Sequence, residues 1–237
     1  DDQLNVKRST IARTNKLKSV HTPLGAEFTV DYSRTTPTYD HPGGKWVLQS
    51  VAIKDGIASD GPDMKTQFPY AKGKYERHER SFLGFGEVKI QNIDTENSDK
   101  VYRTLTQNYD VSDYYNAGQL LSSVLESNEG VNSASNTGAK YTESIQDYYT
   151  YQVKAAGDQY DFTPVSKICS DRAVSFNPVK NITSLAYEGG SSPLKLNEIH
   201  NEYYVGSGTF GDLKRYSYKD NSTSNYKTEM AYAANFG

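Results

Sequence analysis

The residues able to do chemistry are scattered along the 237-residue chain. Its four histidines are His21, His41, His78 and His200. None lies at zinc-ligand spacing from another or from the single cysteine, Cys169. Each histidine is therefore read as satisfied within the fold or facing solvent. The run Asp55-Gly56-Ile57-Ala58-Ser59-Asp60-Gly61-Pro62-Asp63 gathers three carboxylates, but it lacks the alternating oxygen ligands that close on a Glu in a calcium loop. It reads as a hairpin connection. No Gly-x-Ser-x-Gly elbow, phosphate loop or dinucleotide fingerprint occurs. Gly206-Ser207-Gly208 has no His or Asp constellation near it and reads as a turn. Cys169, in an alternating run near Lys167 and Arg172, reads as a small buried hydrophobe. Two glycosylation sequons, at Asn181 and Asn221, assign nothing by themselves. No catalytic, cofactor or metal residue is assigned, and the chain is expected not to be an enzyme.

The elements that would carry any site are strands. The chain holds 20 Tyr, 8 Phe and 1 Trp, yet its mean hydropathy is −0.75. Disordered chains are poor in aromatics. The pairing of many tyrosines with low hydropathy fits thin β layers that bury rings and keep hydroxyls wet. A net charge of −3 without a Lys/Arg cluster gives no nucleic-acid footprint. Apolar runs are too short to span a bilayer. One cysteine excludes an intrachain disulfide and leaves the compartment open.

Alternation predicts strands over Asn15–Val20, Ala26–Tyr32, Trp46–Lys54, Met64–Tyr70, Val101–Tyr109, Lys140–Val153, Thr163–Phe176, Ile182–Tyr187, Leu194–Val205, Leu213–Tyr218 and Tyr226–Tyr232. Thr22-Pro23-Leu24-Gly25 reads as a turn, and Ala71-Lys72-Gly73-Lys74 as another. In the strand at Trp46, Val47, Val51 and Ile53 would share one face, and Trp46 and Leu48 the other. Val101, Leu105 and Tyr109 would share a face, as would Tyr141, Ile145, Tyr149, Tyr151 and Val153. The expected divisions are a polar lead-in (1–14), a β region (15–130), a flexible loop (131–139) and further degenerate strands (140–237), incomplete at the C-terminal end.

One stretch, Tyr75 to Ile90, stands out. A charged run, Glu76-Arg77-His78-Glu79-Arg80, passes through Phe82, Gly84, Phe85 and Gly86 into Glu87-Val88-Lys89-Ile90. Val88 and Ile90 would share one face, Glu87 and Lys89 the other. The two glycines beside Phe85 predict a bulge or a close backbone approach. The segment Glu79-Arg80-Ser81-Phe82-Leu83-Gly84-Phe85-Gly86 resembles the Glu-Arg-Glu-Phe-Arg-Gly-Phe-Gly signature of RHS/YD-repeat proteins, the B component of insecticidal Tc toxins and SpvB-like relatives. Ser81 and Leu83 depart from that pattern. Flanking pieces also resemble the family: Pro23-Leu24-Gly25, Phe28-Thr29-Val30-Asp31-Tyr32, Trp46-Val47-Leu48 and Val51-Ala52-Ile53-Lys54-Asp55-Gly56. The wording is most similar to large RHS-repeat proteins of Bacteroidetes-type bacteria, and the likeness is good over roughly residues 15–125.

The resemblance implies an all-β fold of successive antiparallel strands and hairpins in a curved sheet, part of an RHS/YD-repeat β-shell. It makes Tyr75, Arg77, Glu79, Arg80, Phe82, Gly84, Phe85 and Gly86 a structural motif. Weak internal echoes at roughly 30–45 residues fit a repeat array. Partners would be the remainder of the same polypeptide, of which this chain is expected to be a piece, and an enclosed C-terminal passenger. Secretion or surface-anchoring partners are also implied, with a secreted or cell-surface location. The alternative is an adhesion or glycan-binding module with Tyr148, Tyr203 and Tyr204 as a stacking platform.

Overall fold

The computed structural model describes residues 15–56, 64–128, 139–156, 159–166, 168, 174–188, 192–205, 211–220 and 225–230. The fold is all-β, with no helix among the described residues. The strands are β1 (Ser19–His21), β2 (Glu27–Arg34), β3 (Trp46–Lys54), β4 (Met64–Gln67), β5 (Tyr70–Glu76), β6 (Ser81–Asp94), β7 (Lys100–Tyr109) and β8 (Leu120–Ser127). They continue as β9 (Ala139–Tyr148), β10 (Tyr151–Ala156), β11 (Gln159–Pro164), β12 (Val174–Phe176), β13 (Val179–Ala186), β14 (Lys195–Tyr203), β15 (Leu213–Lys219) and β16 (Asn225–Glu229).

Thirteen strands form one antiparallel sheet that does not close, ordered β1-β2-β3-β4-β6-β7-β8-β9-β13-β14-β15-β16, with β5 also paired to β6. Neighbours in space are mostly neighbours in sequence, as short hairpins require. Thr22 begins the first hairpin: its N–H donates to Ala26 O at 2.8 Å, and its Oγ1 accepts from Ala26 N at 3.0 Å. Gly25 completes that turn at φ +91°. The β6–β7 hairpin starts with Asp94, whose Oδ1 accepts from the N–H groups of Glu96 and Asn97.

The small sheet β11-β10-β12 is inserted between β9 and β13. Tyr151, Phe162 and Phe176 pack within it, and Phe176 meets Tyr203 of β14 edge-on at 5.8 Å. Tyr149 reaches the same Tyr203 at 6.3 Å. These rings tie the small sheet to the large one, and Tyr151 and Phe162 are each 8% exposed. Elsewhere the layer is thin. Leu83, Ile93 and Ile168 complete the buried apolar set, and no described side chain is fully buried.

Seven pairings carry a one-residue register shift. Each such bulge bends and twists its strand and reverses the facing of everything beyond it. In β3 the bulge falls at Gln49: Asp31 pairs with Ser50, but Tyr32 pairs with Leu48. Directly paired residues share a face, so Trp46 and Leu48 join the face of Val51 and Ile53. Val47, expected with Val51, goes to the other face opposite Ser33. In β7 the bulge at Tyr102 pairs Val101 with Ile93 while Leu105 pairs with Ile90. Val101 and Leu105 are thereby separated.

Other expectations also move. Asn15–Val20 shortens to β1. Met64–Tyr70 ends at Gln67, where Phe68-Pro69 breaks the strand, and Ala71–Lys74 lies inside β5 instead of turning. Lys140–Val153 is two strands in two sheets, β9 and β10, and Thr163–Phe176 is β11 and β12. Residues 1–14, Cys169, Gly206-Ser207-Gly208, Asn221 and nearly all of the expected loop at 131–139 lie outside the described residues.

The break at Pro69 opens a split in the sheet. β4 pairs with β6 at Gln91–Ile93, and β5 pairs with β6 at Ser81–Val88. On the other side, β4 pairs only with Ser50–Ile53 of β3. The first half of β3 and the whole of β5 thus diverge with no ladder between them.

Candidate functional site

The signature hairpin borders this split. β5 and β6 pair from Tyr70↔Val88 to Glu76↔Ser81. The charged run is their turn, over Arg77–Arg80, and Arg80 sits at φ +52°. The glutamates of this run are not the partners of Arg77. Its guanidinium lies 4.2 Å from the centre of the Tyr39 ring and donates to Tyr39 O at 3.2 Å. Glu76 Oε1 accepts from His78 N at 3.1 Å, while Glu79 and Arg80 are exposed.

The bulge in β6 falls at Leu83: Tyr75 pairs with Phe82, and Lys74 with Gly84. Gly84 takes φ +122°, a conformation side chains rarely adopt. In a regular strand Phe82 and Phe85, three apart, would face opposite sides. The extra residue brings them to one side, where their rings meet at 5.2 Å, and Leu83 is buried at 9% exposure. Gly86 is buried against β5. A Cβ there would meet Lys72 Cβ at 3.1 Å and Val111 Cγ2 at 3.2 Å.

A residue outside the expected motif completes the cluster. His41 projects from the loop between β2 and β3 and is 4% exposed. Its ring lies 4.8 Å from Phe82 and 5.9 Å from Phe85. Gly73, opposite Phe85, leaves the room: a Cβ there would stand 3.2 Å from both the His41 ring and Phe85. His41 Nε2 and Thr35 Oγ1 are 3.2 Å apart, while the buried Nδ1 has no partner. The histidine is thus only half satisfied, against the reading of each histidine as satisfied or solvent-facing. Burial, with the Lys45 charge second, pushes the imidazole below its ordinary range. The sequence signal was slight: one histidine in a loop rich in Thr, Pro and Gly.

The loop is fastened at several points. Tyr75 N–H donates to Asp40 O at 2.7 Å, and Lys74 Nζ meets Asp40 Oδ1 at 2.7 Å. Lys45 Nζ stands 4.2 Å over Phe82, and Thr35 N–H donates to Lys45 O. Under the loop lies a cavity of about 480 Å³, walled by Val47 and Gln49 of β3, Tyr70 and Gly73 of β5, and His41. Nearby, Lys72 hydrogen-bonds Glu87 at 3.1 Å and holds its carboxyl below the usual carboxylate range.

The tyrosines expected as a glycan platform have their hydroxyls hydrogen-bonded to the main chain. Tyr148 OH donates to Leu120 O, Tyr203 OH to Val179 O, and Tyr204 OH to Met230 O. Tyr203 is half-buried within the aromatic cluster beneath the small sheet. Among the described residues no group of three or more His, Cys, Asp or Glu is placed to hold a metal.

The family described as insecticide toxin TcdB middle/N-terminal region matches residues 2–116. No curated protein matches the chain. Among solved structures, TcdB2-TccC3 without its hypervariable C-terminal region superimposes with TM-score 0.63 at 15% identity, over 93% of this chain and 12% of that one. A second TcdB2-TccC3 crystal structure gives 0.62 at 15% identity, over 93% and 13%. The Tc holotoxin pore of Photorhabdus luminescens, carrying a TccC3 mutation, gives 0.63 at 16% identity, over 85% and 12%. At such identity the likeness is one of fold. The chain spans about an eighth of the length of these relatives.

Proposed function

We propose, from the premise that this chain is a Tc-toxin/RHS-type β region, that it is a wall segment of a large secreted protein whose β-shell encloses a passenger polypeptide. One observation carries the reading. The described residues form a long, open antiparallel sheet without a fully buried side chain, and nearly all of the chain superimposes on a small fraction of TcdB2-TccC3. A sheet of this kind is completed by neighbours that pair its edges and cover its faces. The wall performs no reaction. Its work is continuous strand pairing and a closed surface, and its partners are the remaining strands of the same polypeptide and the passenger within.

Cryo-electron microscopy of the intact polypeptide tests this. The expected map shows β1 and β16 each continued by a further strand of the same polypeptide, with density for a chain held inside the wall. A map in which this region stands apart as a lobe, with both edges bare and nothing enclosed, would sink the reading.

A further inference from the structure

The loop over the split is held by a side chain whose chemistry changes near neutral pH. His41 is almost wholly covered, caged by Phe82, Phe85 and the backbone of Gly73. Its Nε2 shares Thr35 Oγ1, an oxygen that also accepts from Lys45 N–H at 2.8 Å. Its Nδ1 has neither a protein partner nor access to water. Neutral imidazole can sit there as a flat, mostly apolar ring. Imidazolium carries two N–H donors and a full charge, and the cage offers one acceptor.

The surrounding charges give no relief. On the loop and the end of β2 stand Arg34, Asp40 and Lys45. On β5 and the following turn stand Lys72, Lys74, Glu76 and Arg77, with the phenols Tyr39, Tyr70 and Tyr75 nearby. On β6 stands Glu87. β3 brings only Val47 and Gln49 to the cavity. Each carboxylate is already engaged: Asp40 by Lys74, Glu87 by Lys72 and Lys89, and Glu76 by the His78 amide. None of these carboxylates bonds His41, Glu79 of the turn is exposed, and Lys45 opposes a charge on the ring.

We propose that the Thr35–Lys45 loop is an acid-released latch: it closes the split between β3 and β5 while His41 is neutral, and lifts away when His41 takes a proton. The direction follows from linkage. A histidine whose value is lowered by burial binds its proton more readily in the open state. The closed state is therefore fully favoured above the ordinary value near 6.5 and loses ground as pH falls below it. With one proton coupled to opening, the loss is at most about tenfold per pH unit. What the latch admits is a split strand edge and the cavity beside it.

Hydrogen exchange read by mass spectrometry on the full chain tests the latch, with rates corrected for intrinsic pH dependence. Peptides covering residues 35–45 and 70–76 report the Asp40–Tyr75 bond. Protection there is expected to fall up to about tenfold per unit between pH 6.5 and 5.5, while peptides from β7 and β8 stay unchanged. His41→Gln keeps a neutral amide where Nε2 bonds Thr35 and cannot be protonated, so its protection is expected to be flat over the same range. Protection that is flat in the wild type, or that falls equally in the variant, overturns the proposal. Should His41→Gln fail to close the loop at any pH, exchange of the histidine ring C2 hydrogens decides the matter in the wild type. His41 is expected to titrate below the ordinary histidine value near 6.5. Titration of His41 at or above that ordinary value overturns the latch.

Discussion

Gly25 and Gly56 meet backbone to backbone where the β1–β2 turn lies against the end of β3. Gly56 has φ +79°, and a Cβ there would stand 2.3 Å from Gly25 C and 2.6 Å from Ala26 N. Gly25 has φ +91°, but its Cβ would find Gly56 O at an ordinary 3.4 Å. Both positions penalise a side chain through φ, at about 1–2 kcal/mol. Only Gly56 adds a clash with main chain, which cannot swing aside. Gly56→Ala is therefore expected to cost about 2–4 kcal/mol and Gly25→Ala about 1–2, read as the shift in urea midpoint. Equal shifts would show that the two turns do not press on each other. Gly73 works differently: it has an ordinary backbone and is small because the His41 ring and Phe85 occupy the space beside it.

Bulges decide which side chains are covered, and this is where the sequence was least legible. Alternation located β2, β3, β7 and β13–β16 to within a few residues, because half-covered strands need a period of two. A bulge adds one residue without altering composition, so a strict alternation reading assigns every residue beyond it to the wrong face. That is what happened at Gln49 and Tyr102. Gly84 was a readable exception, since the two glycines around Phe85 pointed to a bulge in β6. The break at Pro69 was readable too, because proline cannot donate to a ladder, but the alternation of Met64–Tyr70 hid it. No signal in the sequence linked His41 to Phe82 and Phe85, since its contacts cross some forty residues of chain. A test at this scale compares two leucines that sit at bulges. Leu83 is 9% exposed and Leu121 is 38% exposed. Leu83→Ala is expected to cost about 2–3 kcal/mol and Leu121→Ala under about 1 in equilibrium denaturation. Equal costs would mean that the β6 bulge does not aim its leucine into cover.

Across the whole molecule the C-terminal strands are joined by polar side chains more than by a core. Asn181 of β13 bonds Asp147 of β9 and His200 of β14. Arg215 of β15 reaches Glu202 of β14 at 3.5 Å and Glu229 of β16 at 3.0 Å. Pairs this exposed contribute about 0–1 kcal/mol each, so they set register without supplying much cohesion. The ladder ends at β16, all five residues of which are exposed, and among the described residues nothing pairs its outer edge. The other end, β1, has only three residues and pairs only with β2. Unpaired strand edges recruit other strands. The chain in isolation is therefore expected to self-associate, with light-scattering mass rising with concentration and melting that is broad. Lysines placed at Tyr226 and Thr228 would charge the β16 edge and are expected to lower the association without altering the pairing of β2 with β3. If the unmodified chain instead runs as a monodisperse monomer that melts in one sharp transition, the sheet supplies its own cohesion. The argument that it depends on neighbouring strands then fails.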